Sequence, residues 1–197
     1  MKAFWDERYR EAEYVYGKEP NTFFATQIQS LAPGNLLLPC EGEGRNAVFA
    51  ALQHWQVVAF DQSVEGQKKC LQLAKDMHCA LQYDIADATQ FDYGSEKYDA
   101  IGLIYAHFPP SIRKQIHHSC LKALKPGGVI ILEAFTPQQL NYSSGGPKQL
   151  DMLYTSEGIR HDFEGASQIE VEALETELSE GPYHKGTAAI VRAIIQK

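Results

Sequence analysis

NLLLPCEGEGRNAVFAALQHWQVVAFD, residues 35–61, carries the change of period that decides the fold. NLLLP is a short apolar block of the kind that forms a strand covered on both faces. CEGEG then breaks the run with two glycines. The next residues place Ala47, Phe49, Ala50 and Leu52 on a helical period before QVVAFD resumes as a second strand. A strand, a glycine loop, a helix and a strand in this order are the start of a parallel α/β sheet.

The same alternation continues outward. Residues 63–78 predict a helix, CALQYD (79–84) a third strand and KYDAIGLIYAHF (97–108) a fourth. Residues 111–124 predict a further helix, and GGVIILEAF (127–135) a fifth strand. SQIEVEALETEL (167–178) and KGTAAIVRAIIQ (185–196) alternate like an antiparallel pair at one edge. Upstream, residues 21–29 predict a short helix. Between the fifth strand and the pair, a Ser/Gly/Pro loop precedes a short helix near residues 149–154, placed to cover a cleft. The expected fold is a mostly parallel, three-layer α/β sheet within a single domain, residues 1–197, with residues 1–30 as a candidate cap.

The 197 residues suffice for one core. With 25 acidic against 18 basic residues, the formal charge of −7 disfavours non-specific attraction to nucleic acid or anionic lipid. Cys40, Cys70, Cys79 and Cys120 form no CxxC pair, which fits a reduced, cytoplasmic chain. No apolar stretch reaches membrane-spanning length. HExxH, a dense Cys/His cluster and GxSxG are all absent, so neither a metal site nor a hydrolytic serine is expected.

The local chemistry lies at consecutive strand ends. Gly42 and Gly44 permit either a tight structural turn or a close approach of backbone to a ligand, and the helix starting near Asn46 offers amides to an anion. Asp61 ends the second strand, where a carboxylate accepts hydrogen bonds from ribose hydroxyls or is simply solvated. Asp87 follows the third strand and offers an acceptor to an adenine amino group. His117 and His118 fall in a helix without an evident ligand partner.

LPCEGEGRNA, VVAFD, DIADA, YDAIGLI and LKPGGVIILE together resemble the successive motifs of class I methyltransferases that use S-adenosylmethionine, over nearly the whole chain. WDERY, YGKEPN, GEGRNA and EGPYHKGTAAIVR further resemble the small bacterial tellurite-resistance-related methyltransferases. The resemblance implies a Rossmann-like seven-stranded sheet in the order 3-2-1-4-5-7-6 with an antiparallel last strand. It implies S-adenosylmethionine as cofactor, bordered by Cys40, Gly42, Gly44, Asn46, Asp61, Gln62, Asp87 and Ala88. Tyr105 and His107 would face the transferred methyl group as catalytic candidates. Trp5, Arg8, Tyr9 and His184 are the candidates for substrate binding, with Arg8 suited to an anion.

The chain departs from this pattern at Leu38, where an acid is usual, and at Cys40, where glycine is usual. Glu41 or Glu43 would then have to organise the loop. The expected activity is methyl transfer to a small molecule, a metalloid oxyanion or another soft or anionic nucleophile, by a monomer or homodimer. A nucleotide-dependent oxidoreductase and a cofactor-binding protein without catalysis are the alternatives.

Overall fold

The computed structural model describes residues 2–197. Seven strands form one sheet: β1 (Asn35–Pro39), β2 (Gln56–Asp61), β3 (Gln82–Ile85), β4 (Tyr98–Ile104), β5 (Leu124–Phe135), β6 (Gln168–Ser179) and β7 (Lys185–Gln196). Their order is β3-β2-β1-β4-β5-β7-β6. Neighbours among β1 to β5 pair in parallel, and β7 runs antiparallel to both β5 and β6. This is the strand order and orientation expected.

Successive strand residues face opposite layers, because side chains alternate along a strand. Leu36, Leu38, Ala59 and Ala100 pack against α2 (Thr22–Ser30), α3 (Arg45–Leu52) and α4 (Val64–Asp76). Leu37, Phe60, Ile101 and Leu103 pack against α5 (Pro110–Ala123) on the other face. Each fully buried leucine or isoleucine contributes roughly 1.5–3 kcal/mol of transfer free energy. Helix starts are fixed by side chains: Asn21 accepts from the Phe24 amide at 2.9 Å, and Ser63 from the Gly66 amide at 3.1 Å.

Three differences from the sequence reading bear on the site. Residues 2–9 form a helix, α1 (Lys2–Tyr9), which packs on α4. The fourth strand stops at Ile104, and the following Tyr105 has a positive φ of 53°, so YAHF turns away from the sheet. The segment after β5 holds 3-10 turns at Pro137–Asn141 and Leu150–Met152 and a helix, α6 (Ser156–Asp162), where one short helix was expected. Among the described residues, no helix is long and apolar enough to cross a membrane.

Leu38 is accounted for by packing. A Cβ on Gly102 of the adjacent strand would lie 2.5 Å from the Leu38 Cδ2 and 3.0 Å from Phe24, so bare backbone makes room for both side chains. Gly102→Ala is expected to lower stability by about 1–3 kcal/mol through overpacking. A urea midpoint equal to wild type would contradict the close seating of Leu38 on β4.

Candidate active site

The loop leaving β1 is strained where it turns. Cys40 has φ 56°, Gly42 φ 61° and Gly44 φ 90°. Left-handed backbone at a non-glycine residue costs free energy and persists where its surroundings hold it. Glu41 is one of those surroundings. Its Oε1 accepts the Asn46 and Ala47 amides, both at 2.8 Å.

Those amides lie in the first turn of α3, so the chain's own carboxylate takes two of the donors that the sequence reading offered to a ligand's anion. Asn46 is likewise committed: its Oδ1 accepts from the Asn21 amide at 2.9 Å. Glu43 accepts from Lys69 at 2.6 Å and from the Val15 amide at 2.9 Å, fastening the N-terminal segment to the loop. Both alternatives to an acid at position 38 are therefore used at once. Gly44 is required for packing, since a Cβ there would collide with the Cys70 side chain. Burial pushes the Cys40 thiol well above its usual pKa and so disfavours the thiolate.

Asp61 stands at the next strand end, 7% exposed. Its two oxygens accept from the Ser63 amide at 2.9 Å and the Gly42 amide at 3.2 Å, which ties the strand end to the glycine loop. Burial raises its pKa to about 6 against the opposing pull of these bonds. Each oxygen keeps lone-pair capacity for a further donor. Gln62 donates to Asp87 at 2.9 Å, joining the ends of β2 and β3 beside buried Ala88.

From above, α1 supplies Tyr9, whose hydroxyl would be 2.5 Å from a Cβ on Gly42 and whose ring stacks with Trp5 at 5.4 Å. Asp6 accepts from the Ser63 hydroxyl at 2.7 Å, anchoring α1 to the start of α4.

Further along the carboxyl end of the sheet, a polar network adjoins an aromatic cluster. Glu133, 1% exposed on β5, accepts from Asn21 Nδ2 at 2.6 Å, the Tyr105 hydroxyl at 2.7 Å and Arg192 Nε at 2.6 Å. Glu180 accepts from Asn21, Arg45 and His184 Nδ1 at 2.9, 3.0 and 3.2 Å. Burial alone would raise the Glu180 pKa, but His184 and Arg45 hold it down to about 2. Tyr105 stacks on Phe135 at 4.7 Å, and His184 meets the rings of Tyr105 at 4.5 Å and Tyr16 at 4.4 Å.

His107 differs from Tyr105 in its freedom. Its Nδ1–H donates to the Met152 carbonyl at 2.7 Å, and its Nε2 accepts from the Phe135 amide at 3.2 Å. With burial lowering its pKa to about 4, the ring is neutral and both nitrogens are engaged. His117 is buried against Asp162 at 3.1 Å, while His118 is exposed.

Arg8 lies over the rings of Phe4 and Tyr183 at 4.5 and 4.6 Å and donates to the Tyr16 hydroxyl at 3.2 Å. Among the described residues it has no carboxylate within ion-pair distance.

The residues that the sequence reading passed over are Asn21, Arg45, Glu133 and Glu180. Glu133 did carry a signal: a lone carboxylate inside the apolar run VIILEAF must be paired if the strand is buried. Asn21 also stands in the quoted YGKEPN, but its two-carboxylate contact joins residues 112 and 159 positions away.

The raised carboxylates give a testable pH signature. Glu41 is pushed from 4.5 to about 7 by burial, so between these values the folded state holds more proton than the unfolded chain. Its contribution to stability is therefore lost as pH rises through this window. Relative to Glu41→Gln, the wild type is expected to lose stability steadily from pH 4.5 to 7.5 in urea titrations. A pH-independent difference between the two proteins would contradict the burial of this carboxylate.

Comparison with known proteins agrees with this geometry. The Methyltransferase domain family matches residues 38–128, from β1 to the start of β5. Among curated protein sequences none matches the chain closely enough to count as a relative. A structure from work on the conversion of a disulfide bond into a thioacetal group during echinomycin biosynthesis superposes with a TM-score of 0.79 at 15% identity. That match covers 100% of this chain and 91% of the other. NodS, an N-methyltransferase from Bradyrhizobium japonicum WM9 in complex with S-adenosyl-L-homocysteine, gives 0.72 at 14%, covering 100% and 97%. TehB from Haemophilus influenzae gives 0.72 at 13%, covering 100% and 66%. The strand order, the glycine loop and the matched domain together give this chain the fold of the class I S-adenosylmethionine-dependent methyltransferases.

Proposed function

We propose that the chain transfers a methyl group from S-adenosylmethionine to a small-molecule nucleophile that carries negative charge. The observation that carries this reading is the hydrogen-bonded series Gly42–Asp61 and Gln62–Asp87 along adjacent strand ends, covered at Gly42 by Tyr9 of α1, a helix whose Arg8 has no acidic partner among the described residues. The series suits a nucleoside. Asp61 accepts ribose hydroxyls with its remaining lone pairs, the Gln62–Asp87 pair meets the adenine edge, and Ala88 borders the ring. Gly42 and Cys40 leave backbone beside the methionine part, and Tyr9 and Trp5 of α1 cap it.

The cofactor, when bound, supplies a methyl group already activated on a sulfonium, so the protein needs no covalent intermediate of its own. What remains for the chain is to align the nucleophile and exclude water. Tyr105 commits its proton to Glu133 and, with its pKa raised well above 10 by burial and that carboxylate, stays protonated. Its oxygen orients the substrate by accepting a hydrogen bond. His107 has no free nitrogen to take a proton and acts by holding the end of β5 to the 150s segment. His184 shapes the aromatic wall.

Arg8 pairs with the anionic group of the substrate. Its flanking rings keep the guanidinium in place and leave its charge uncompensated. A metalloid oxyanion falls within this substrate class.

A panel of small nucleophiles, including tellurite, selenite, aromatic carboxylates and neutral thiols, is to be assayed for S-adenosylhomocysteine formation. Turnover is expected with an anionic member, and Arg8→Ala is expected to raise its KM by roughly tenfold, the worth of one charge-assisted hydrogen bond. Cofactor binding without turnover across the panel would favour a non-catalytic role. Equal KM increases for neutral and anionic substrates would remove Arg8 as the anion contact.

A further inference from the structure

We infer, on the methyl-transfer reading above, that Glu133 is a positioning residue that decides which kind of atom is methylated. It fixes the Tyr105 hydroxyl so that the reacting atom must be a neutral amine nitrogen that still carries a hydrogen, set apart from the negative charge of the substrate.

Tyr105 stands where the topology opens. β1 and β4 are neighbours, with β2 and β3 outward on one side and β5 on the other, so the crossovers diverge between these two strands. Ligands of open α/β sheets bind in the crevice at that point, beyond the carboxyl ends of the strands. The first residue past each strand, Cys40 after β1 and Tyr105 after β4, has left-handed backbone, with φ 56° and 53°. Both loops therefore turn away from the sheet there, and the ring of Tyr105 is only half-buried beside the opening. Such backbone at a bulky residue persists only where its surroundings hold it.

Glu133 provides that hold twice. The Tyr105 amide donates to the Glu133 carbonyl at 2.7 Å, and the Tyr105 hydroxyl donates to Glu133 Oε1 at 2.7 Å. The carboxylate takes two further donors, Asn21 Nδ2 on Oε1 and Arg192 Nε on Oε2, both at 2.6 Å. A carboxylate facing a guanidinium can only accept, so the single phenol proton points at Glu133. The Tyr105 oxygen keeps its lone pairs, and no donor among the described residues reaches them.

An oxygen that can only accept selects a partner that donates. A bare oxyanion, a thiolate or a tertiary amine set against it would bring lone pair to lone pair. A neutral primary or secondary amine instead keeps an N–H on Tyr105 throughout the transfer and aims its own lone pair at the methyl carbon. The N–C bond forms as the C–S bond gives its electron pair to sulfur, and the resulting ammonium releases its proton to water. A hydroxyl would have to give up the very proton that bonds to Tyr105, which already holds its own. The negative charge of the substrate lies at Arg8 on the same reading, so charge and reacting nitrogen are separate groups of one molecule.

4-Aminobenzoate is the probe, with 4-(dimethylamino)benzoate and 4-hydroxybenzoate as contrasts of equal charge, each assayed for S-adenosylhomocysteine formation. Wild-type kcat/KM is expected to favour 4-aminobenzoate by roughly tenfold or more, the worth of one hydrogen bond to the reacting atom. Tyr105→Phe and Glu133→Gln are each expected to bring that ratio close to one. In tyrosine-labelled protein the Tyr105 Cζ resonance, assigned with Tyr105→Phe, is expected to move in Glu133→Gln as its hydroxyl loses the anion. Where Glu133→Gln does not fold, Glu133→Asp is read in its place, since it keeps a charge for Arg192 while drawing it back from the hydroxyl. A wild-type ratio near one, a ratio that survives in Tyr105→Phe, or an unmoved Cζ resonance would each overturn the role of Glu133. Turnover of other anions without any of 4-aminobenzoate would overturn it alone, whereas no turnover of any nucleophile would remove the methyl-transfer reading with it.

Discussion

Carboxylates withdrawn from water at the carboxyl end of the sheet must find donors inside the protein, and the donors come from separate parts of the chain. Glu41 takes the first amides of α3, Asp61 takes the glycine loop, and Glu133 takes Asn21, Tyr105 and Arg192. Glu180 takes Asn21, Arg45 and His184. Asn21 is thus held by two acids while its own oxygen starts α2, so the entry of the N-terminal segment and the end of β5 are set by one amide. Removing any partner would leave a buried charge uncompensated, which costs far more than the pair itself returns.

This requirement also explains how the chain does without an acid at position 38. A carboxylate there would sit in the leucine and phenylalanine layer above Gly102. Moving the acid to position 41, past the end of the strand, keeps the layer apolar and lets the carboxylate fold back onto the helix amides. The glycine loop then owes its shape to Glu41 and Asp61 from below and to Tyr9 from above.

Much of this was legible in the sequence, for identifiable reasons. The change from period 2 to period 3.6 and back is a local property, so NLLLP, QVVAFD and the intervening helix could be read residue by residue. The strand order was not in those periods; it came from the likeness of the motifs. Asp61 and Asp87 were visible because strand ends are recognisable. The roles of His107 and Asn46 were not, because their partners, Met152, Phe135 and Asn21, are remote in sequence and appear only when the chain is folded. α1 and α6 escaped the reading because each is a short polar helix whose position depends on contact, Asp6 with Ser63 and Asp162 with Arg113.

The account turns on the strand-end acid that is tied to the glycine loop. Isothermal titration of the purified protein with S-adenosylhomocysteine, set beside the same titration of Asp61→Ala, addresses it most directly. The account predicts one saturable site in the wild type and a loss of affinity of roughly tenfold or more in the variant, as expected for hydrogen bonds to a charged acceptor. No binding to the wild type, or equal affinity in both proteins, would contradict it.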